Sequence, residues 1–162
     1  MRIDEIVAAM QADLLPWVTT QKGKLSIAKD LWNVLEILCQ GPQGLQVIVA
    51  WAGDSEEGGQ DQEPLSTNNL EVVIGYNLGL DAAPDAGLVK STVARPSLLK
   101  LVDDLRAHVL TLQFPEDETS QFLAYGGTVP VTMPNGIPLA AYRIRTRLTT
   151  KVETEETYRS TE

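Results

Sequence analysis

One cysteine and one histidine in 162 residues leave little material for the commonest catalytic constellations. A Ser-His-Asp triad would have to recruit His108, which falls inside a strongly helical pattern and reads as an ordinary surface or half-buried residue. Zinc chemistry needs more ligands than one histidine and one cysteine supply. Cys39 cannot form an internal disulfide, and its setting in "LEILCQ" reads as a buried thiol of a reducing compartment. Basic residues are also scarce: 13 Lys and Arg stand against 22 Asp and Glu, a net charge of -9. That balance argues against a general nucleic-acid binder and against docking on an anionic membrane, since both present negative charge. Long apolar runs are missing too. The longest, "LQVIVAWA" from Leu45 to Ala52, is far short of the roughly 20 residues that span a bilayer and suits a buried strand. The opening "MRIDEIVAAM" has Asp4 and Glu5 where a signal peptide would carry its apolar segment, so secretion is not expected. Neither "GPQG" nor "AYGGTVPV" has the spacing of a phosphate-binding loop. No catalytic residue, cofactor or metal is therefore assigned.

Two acidic groups invite a chemical reading. Asp54, Glu56, Glu57 and Asp61 lie in "GDSEEGGQDQEPLST", which has no apolar periodicity and reads as a mobile loop. A calcium loop starting at Asp54 would need its bidentate glutamate where Leu65 stands, so a solvated loop open to a basic partner is the better assignment. Asp103 and Asp104 are adjacent in a helical pattern and point about 100° apart. With Lys100 and Arg106 nearby they form a salt-bridged helix surface. Trp17, Trp32 and Trp51 sit among apolar neighbours and read as packing residues.

The apolar periodicities outline an α+β domain over residues 1–152. Ile3, Ile6, Val7, Met10 and Leu14 predict a helix ended by Pro16. Ile27, Leu31, Val34, Leu35 and Leu38 predict a second helix capped by Ser26 and closed by Gly41 and Pro42, although its β-branched content leaves a strand open for part of it. "GLQVIVAWAG" and "NNLEVVIGYNLGL" read as strands, the second with Leu70, Val72, Ile74, Tyr76 and Leu78 on one face. "DAAPDAGLVKSTVAR" is a second long connection. Leu98, Val102, Leu105, Val109 and Leu112 mark the clearest helix, with Pro96 in its first turn. "FLAYGGTVPVTMPNGIPLAAYRIRTRLTTKV" predicts two strands joined at "PNG", with a bend or bulge at Gly126 and Gly127. Residues 153–162, "ETEETYRSTE", form a polar tail expected to fray. The expected architecture is a mainly antiparallel sheet with helices packed on one face.

The last strand raises a question. Arg143, Arg145 and Arg147 alternate with Tyr142, Ile144 and Leu148, so the three arginines share one face. Neighbours in that row are about 7 Å apart and repel by roughly 0.6 kcal/mol in water, or about 2.4 kcal/mol at an effective dielectric of 20. A wet outer face tolerates this. A face against another protein needs acids, which within this chain could be Asp103, Asp104, the acidic loop or Glu153, Glu155 and Glu156 of the tail.

The succession of an amphipathic N-terminal helix, strands parted by long loops, the helix "RPSLLKLVDDLRAHVL" and then "YGGTVPVTMPNGIPLAAYRIRTRL" resembles the tail terminator, or tail completion, proteins of long-tailed bacteriophages. The likeness covers the second half of the chain in its motifs and the first half in the order of elements. It implies a non-enzymatic virion protein made in the bacterial host cytoplasm. Such a protein assembles as a ring, commonly a hexamer, on the head-proximal end of the tail tube and joins it to a neck or head-completion protein. The arginine row then becomes a candidate subunit or tube interface. The alternative is another phage neck or tail-completion adaptor, a binding module working through its acidic loop and tail. Stoichiometry separates the two, since a ring requires an oligomer.

Overall fold

The computed structural model describes residues 2–40, 44–57, 65–77, 84–89, 91, 96–116, 119–134 and 139–152. Helix α1 (Ile3–Thr20) leads into β1 (Lys24–Ala28), α2 (Leu31–Gln40) and the long strands β2 (Gln46–Glu57) and β3 (Leu65–Asn77). Then come α3 (Pro84–Val89), α4 (Leu98–Leu110), a small hairpin β4 (Gln113–Glu116) and β5 (Thr119–Phe122), and finally β6 (Ala124–Pro130) and β7 (Leu139–Lys151). The main sheet has the order β1-β2-β3-β7-β6, with β1 parallel to β2 and every other pair antiparallel. This is the expected α+β class with a mainly antiparallel sheet. The polar tail after Val152 and the Asn135-Gly136 turn lie outside the described residues, as do Leu78 and the Gly41-Pro42 stop.

Helices α1 and α4 cover one face of the sheet. Ile6, Met10, Leu14 and Val18 of α1 and Leu98, Leu101, Leu105 and Val109 of α4 are buried against Val47, Val49, Leu70, Val72, Ile74, Ile144 and Leu148. The predicted stripe of α4 is thus its buried face. Ser97 rather than Pro96 starts that helix, its hydroxyl accepting from the Lys100 N–H at 3.3 Å. The third long helix differs from expectation: α2 lies across the opposite face, where Val34 and Leu38 pack on Ala28, Ile48, Ala50, Val73 and Ala141. This explains why "VIVA" is apolar at every position. Covered on both sides, the strand has no solvent face there.

Two boundaries also move. Pro16 does not end α1, which continues to Thr20 with Val18 fully buried and Trp17 packed on the core. A proline within a helix costs about 3 kcal/mol, and burial of the following residues offsets this. Ser26 and Ile27 belong to β1, paired with Ile48 and Val49, and do not open α2. The cap is Asp30, whose Oδ1 accepts from the Asn33 N–H at 2.7 Å while Asn33 Oδ1 accepts from the Lys29 N–H at 3.1 Å. The bulge read at Gly126 and Gly127 is present: the β6–β7 register shifts between Tyr125 and Thr128, and Gly127 has φ 103°. A second bulge, with Gly53 at φ 88°, interrupts β2 between Trp51 and Asp54.

At the end of α1, Lys22 takes the left-handed conformation with φ 58°, and the Gly23 N–H reaches back to Val18 O at 2.9 Å. That position favours glycine. Lys22→Gly should stabilise the protein by about 1 kcal/mol in chemical denaturation, the order of the left-handed penalty it removes. At Gly75 a Cβ would stand 2.7 Å from Leu38 Cδ2 and 3.3 Å from the Ala141 Cβ, so Gly75→Ala should loosen α2 and lower the melting temperature.

Candidate partner-docking face

The position of the arginine row follows from one register. β3 and β7 pair without a shift from Leu65↔Lys151 to Asn77↔Leu139. Because strand side chains alternate, the pairing that buries Ile144, Thr146 and Leu148 under α1 and α4 places Arg143, Arg145 and Arg147 on the α2 side. α2 covers only part of that side. Arg143 is half-buried near it, while Arg145 and Arg147 are exposed farther along β7.

The acid that meets the row is none of those read from the sequence. It is Glu71, directly opposite Arg145 on β3 and diagonal to Arg143. Its Oε2 lies 3.4 Å from Arg143 Nε, with side-chain exposures of 9% for Glu71 and 25% for Arg143, so the pair is largely shielded from water. The contact lacks hydrogen-bond geometry: Glu71 Oε2 and Arg143 Nε are both buried without a hydrogen-bond partner among the described residues. Burial pushes the Glu71 carboxyl above the usual range, and the charges of Arg143 and Arg145 only partly oppose this. A lone glutamate among the apolar residues of "NLEVVIGY", out of phase with Leu70, Val72 and Ile74, was the signal available in the sequence.

Beside Arg143 is a groove of about 310 Å³ lined by Leu31, Val34, Leu35, Val73, Val131 and Arg143. It lies between α2 and the β6–β7 end of the sheet. Leu31 and Trp32 of α2 remain 45% and 71% exposed, so apolar surface continues beyond it. Gly127 gives Arg145 room on the same face, since a Cβ there would come 3.4 Å from Arg145 Nη2. The combination is an apolar slot followed by guanidinium groups at strand spacing. It suits an extended acidic segment carrying one bulky apolar side chain.

The other acids are placed elsewhere. Asp54, Glu56 and Glu57 belong to β2 rather than to a loop, while Asp61 lies outside the described residues. The Gly53 bulge breaks the strand alternation, which is why the stretch lacked a readable period. Asp54 accepts a hydrogen bond from the Ser66 hydroxyl at 2.5 Å. Asp103 and Asp104 pair with Arg106 and with Lys100 (2.9 Å) on α4, away from the row. Trp51 donates from Nε1 to Asn68 Oδ1 at 3.1 Å and Trp17 packs on the core, whereas Trp32 is exposed. His108 is half-buried, with Nε2 3.4 Å from Asp13 O. Cys39 is exposed on α2, contrary to the buried thiol expected, because Val34 and Leu38 face the sheet and leave position 39 outside.

A larger open cleft between α1 and the start of β4 is lined by Ala9, Ala12, Asp13, Leu112, Gln113 and Phe114. It brings one carboxylate and no complementary charge. Among the described residues, no three His, Cys, Asp or Glu side chains gather as metal ligands, and no helix is long and apolar enough to cross a membrane. No protein-family model matches the chain, and no curated protein matches its sequence.

The raised Glu71 pKa has a definite sign in stability. The folded state holds this proton more tightly than the unfolded state, so stability falls as pH rises from about 4.5, the ordinary glutamate value, through the folded-state pKa. The stability difference between Glu71→Gln and the parent should move in favour of the variant across that window and level off above it. Denaturation midpoints for both proteins between about pH 4 and 8 check this; parallel pH profiles would contradict it.

Proposed function

We propose that this chain is a structural subunit of a phage tail: a terminator that closes as a ring, hexameric by analogy with the family it resembles, on the head-proximal end of the tail tube and offers a surface to a neck or head-completion protein. The observation that carries this reading is the charge on the α2 side of the sheet. Among the described residues, the row of three arginines has one acid against it, Glu71, which contacts Arg143 and stands opposite Arg145, in a chain whose net charge is -9. A basic face on an otherwise acidic subunit is complementary to the rest of another copy. That is the condition for a heterologous contact, which makes a ring when its rotation closes. The specific form as a tail terminator comes from the resemblance of "YGGTVPVTMPNGIPLAAYRIRTRL", which contains the row itself. In this reading the protein acts in the virion tail and neck after synthesis in the host cytoplasm, by assembly rather than by a reaction.

Light scattering of the protein alone and with purified tail tubes, combined with electron microscopy of tube ends, tests the proposal. A closed ring, free or capping one tube end, is the expected outcome; a monomer that ignores tube ends would overturn it. Arg145 is exposed, so Arg145→Glu should leave the melting temperature within a few degrees while abolishing ring closure. An Arg145→Glu protein that still forms rings and joins tails would remove the row from the interface.

A further inference from the structure

We infer that the occupant of the groove and arginine row is the segment after Val152 of a second copy of this chain, with Tyr158 in the groove beside Arg143 and Glu156 on Arg145. This rests on the reading of the α2 side as a subunit contact and names what makes it. In an extended segment Glu156 and Tyr158 share one face, two residues apart. The groove at Arg143 and the guanidinium of Arg145 are likewise two residues apart along β7. Run antiparallel to β7, the segment therefore sets an aromatic ring against the apolar slot and a carboxylate against the next guanidinium. Its phenol can accept from the Arg143 guanidinium, which lines the groove.

Net charge agrees with this pairing. Within the row itself, three arginines against Glu71 leave two positive charges. Residues 153–162 hold Glu153, Glu155, Glu156 and Glu162 against Arg159, an excess of three negative charges. Glu153 and Glu155 stand on the other face of the segment, so Glu156 is the carboxylate that makes the direct contact.

Chain length assigns the segment to a neighbour. Tyr158 is seven residues beyond Lys151, where β7 ends, a reach of at most about 23–25 Å when fully extended. Arg143 lies eight residues back along β7, about 26–27 Å away, and the groove lies beside it. The segment would also have to reverse direction. A tight reversal at residues 152 and 153 leaves five residues to run back, about 17–18 Å. A copy therefore cannot fill its own groove but can fill its neighbour's, a head-to-tail contact of the kind that closes rings.

The test uses the full chain carrying Glu156→Gln and Tyr158→Ser, so that its own segment does not compete, and a synthetic peptide of residues 151–162. Titration calorimetry should give saturable one-to-one binding. Tyr158→Ser or Glu156→Gln in the peptide should each weaken it about tenfold, the loss of one good contact. Glu155→Gln, on the far face, should change it by less than about threefold. Arg145→Ser in the protein should weaken binding as Glu156→Gln does, with an unchanged melting curve as the folding control. No saturation up to millimolar peptide, equal binding of a scrambled peptide, or equal losses from Glu155→Gln and Glu156→Gln overturns the inference. The peptide variants keep this decision independent of protein folding. Rings on tube ends without peptide binding would refute this contact and leave the assembly reading standing. Peptide binding by a chain that ignores tube ends would keep the contact and refute the terminator.

Discussion

The unbroken register between β3 and β7 is the constraint on which the rest of the structure depends. From Leu65↔Lys151 to Asn77↔Leu139 no residue slips, so each side chain on the two strands has a fixed face. A slip of one position would turn Ile144 and Leu148 toward solvent and drive the arginines under α1 and α4. Burial of those apolar residues makes that slip prohibitive, because guanidinium groups would enter a core without partners. The hydrophobic contacts on one face thereby hold the charged row on the other.

The same strands explain the unequal treatment of the three arginines. Near α2 the sheet is covered on both faces, and Arg143 and Glu71 are shielded together there. Farther along β7 the cover ends, and Arg145 and Arg147 stay in water where their repulsion is screened. A shielded ion pair without hydrogen-bond geometry is weak evidence for stability, since desolvation can exceed the Coulombic gain. It therefore adds little to what holds the sheet together. Leu31, which lines the groove, and Trp32 after it leave apolar area open on the same helix.

Much of this was legible in the sequence. Period-two alternation in "AAYRIRTRL" and "NLEVVIGY" and the helical stripe from Leu98 to Leu112 each report a buried face, and the residues of each stripe that face α1, α4 and the sheet are the ones expected. The failures have common causes. Pro16 and Ser26 carry local signals that distant partners override: the core under Val18 in one case, and the β1–β2 pairing in the other. The acidic stretch from Asp54 to Glu57 lost its strand signature to an irregularity at Gly53. Glu71 escaped notice because a residue on one strand acquires its meaning only from the strand beside it.

The sequence by itself determined the α+β class, the inward and outward sides of β3 and β7, and the existence of an arginine row, because these follow from periodicity within single segments. Only the tertiary structure decided that α2 crosses to the arginine side, that Glu71 stands opposite Arg145, and that an apolar groove opens beside Arg143. Those features depend on which strands become neighbours and on where each helix lies. That is fixed by the combined burial of residues far apart in the chain, which no local pattern records.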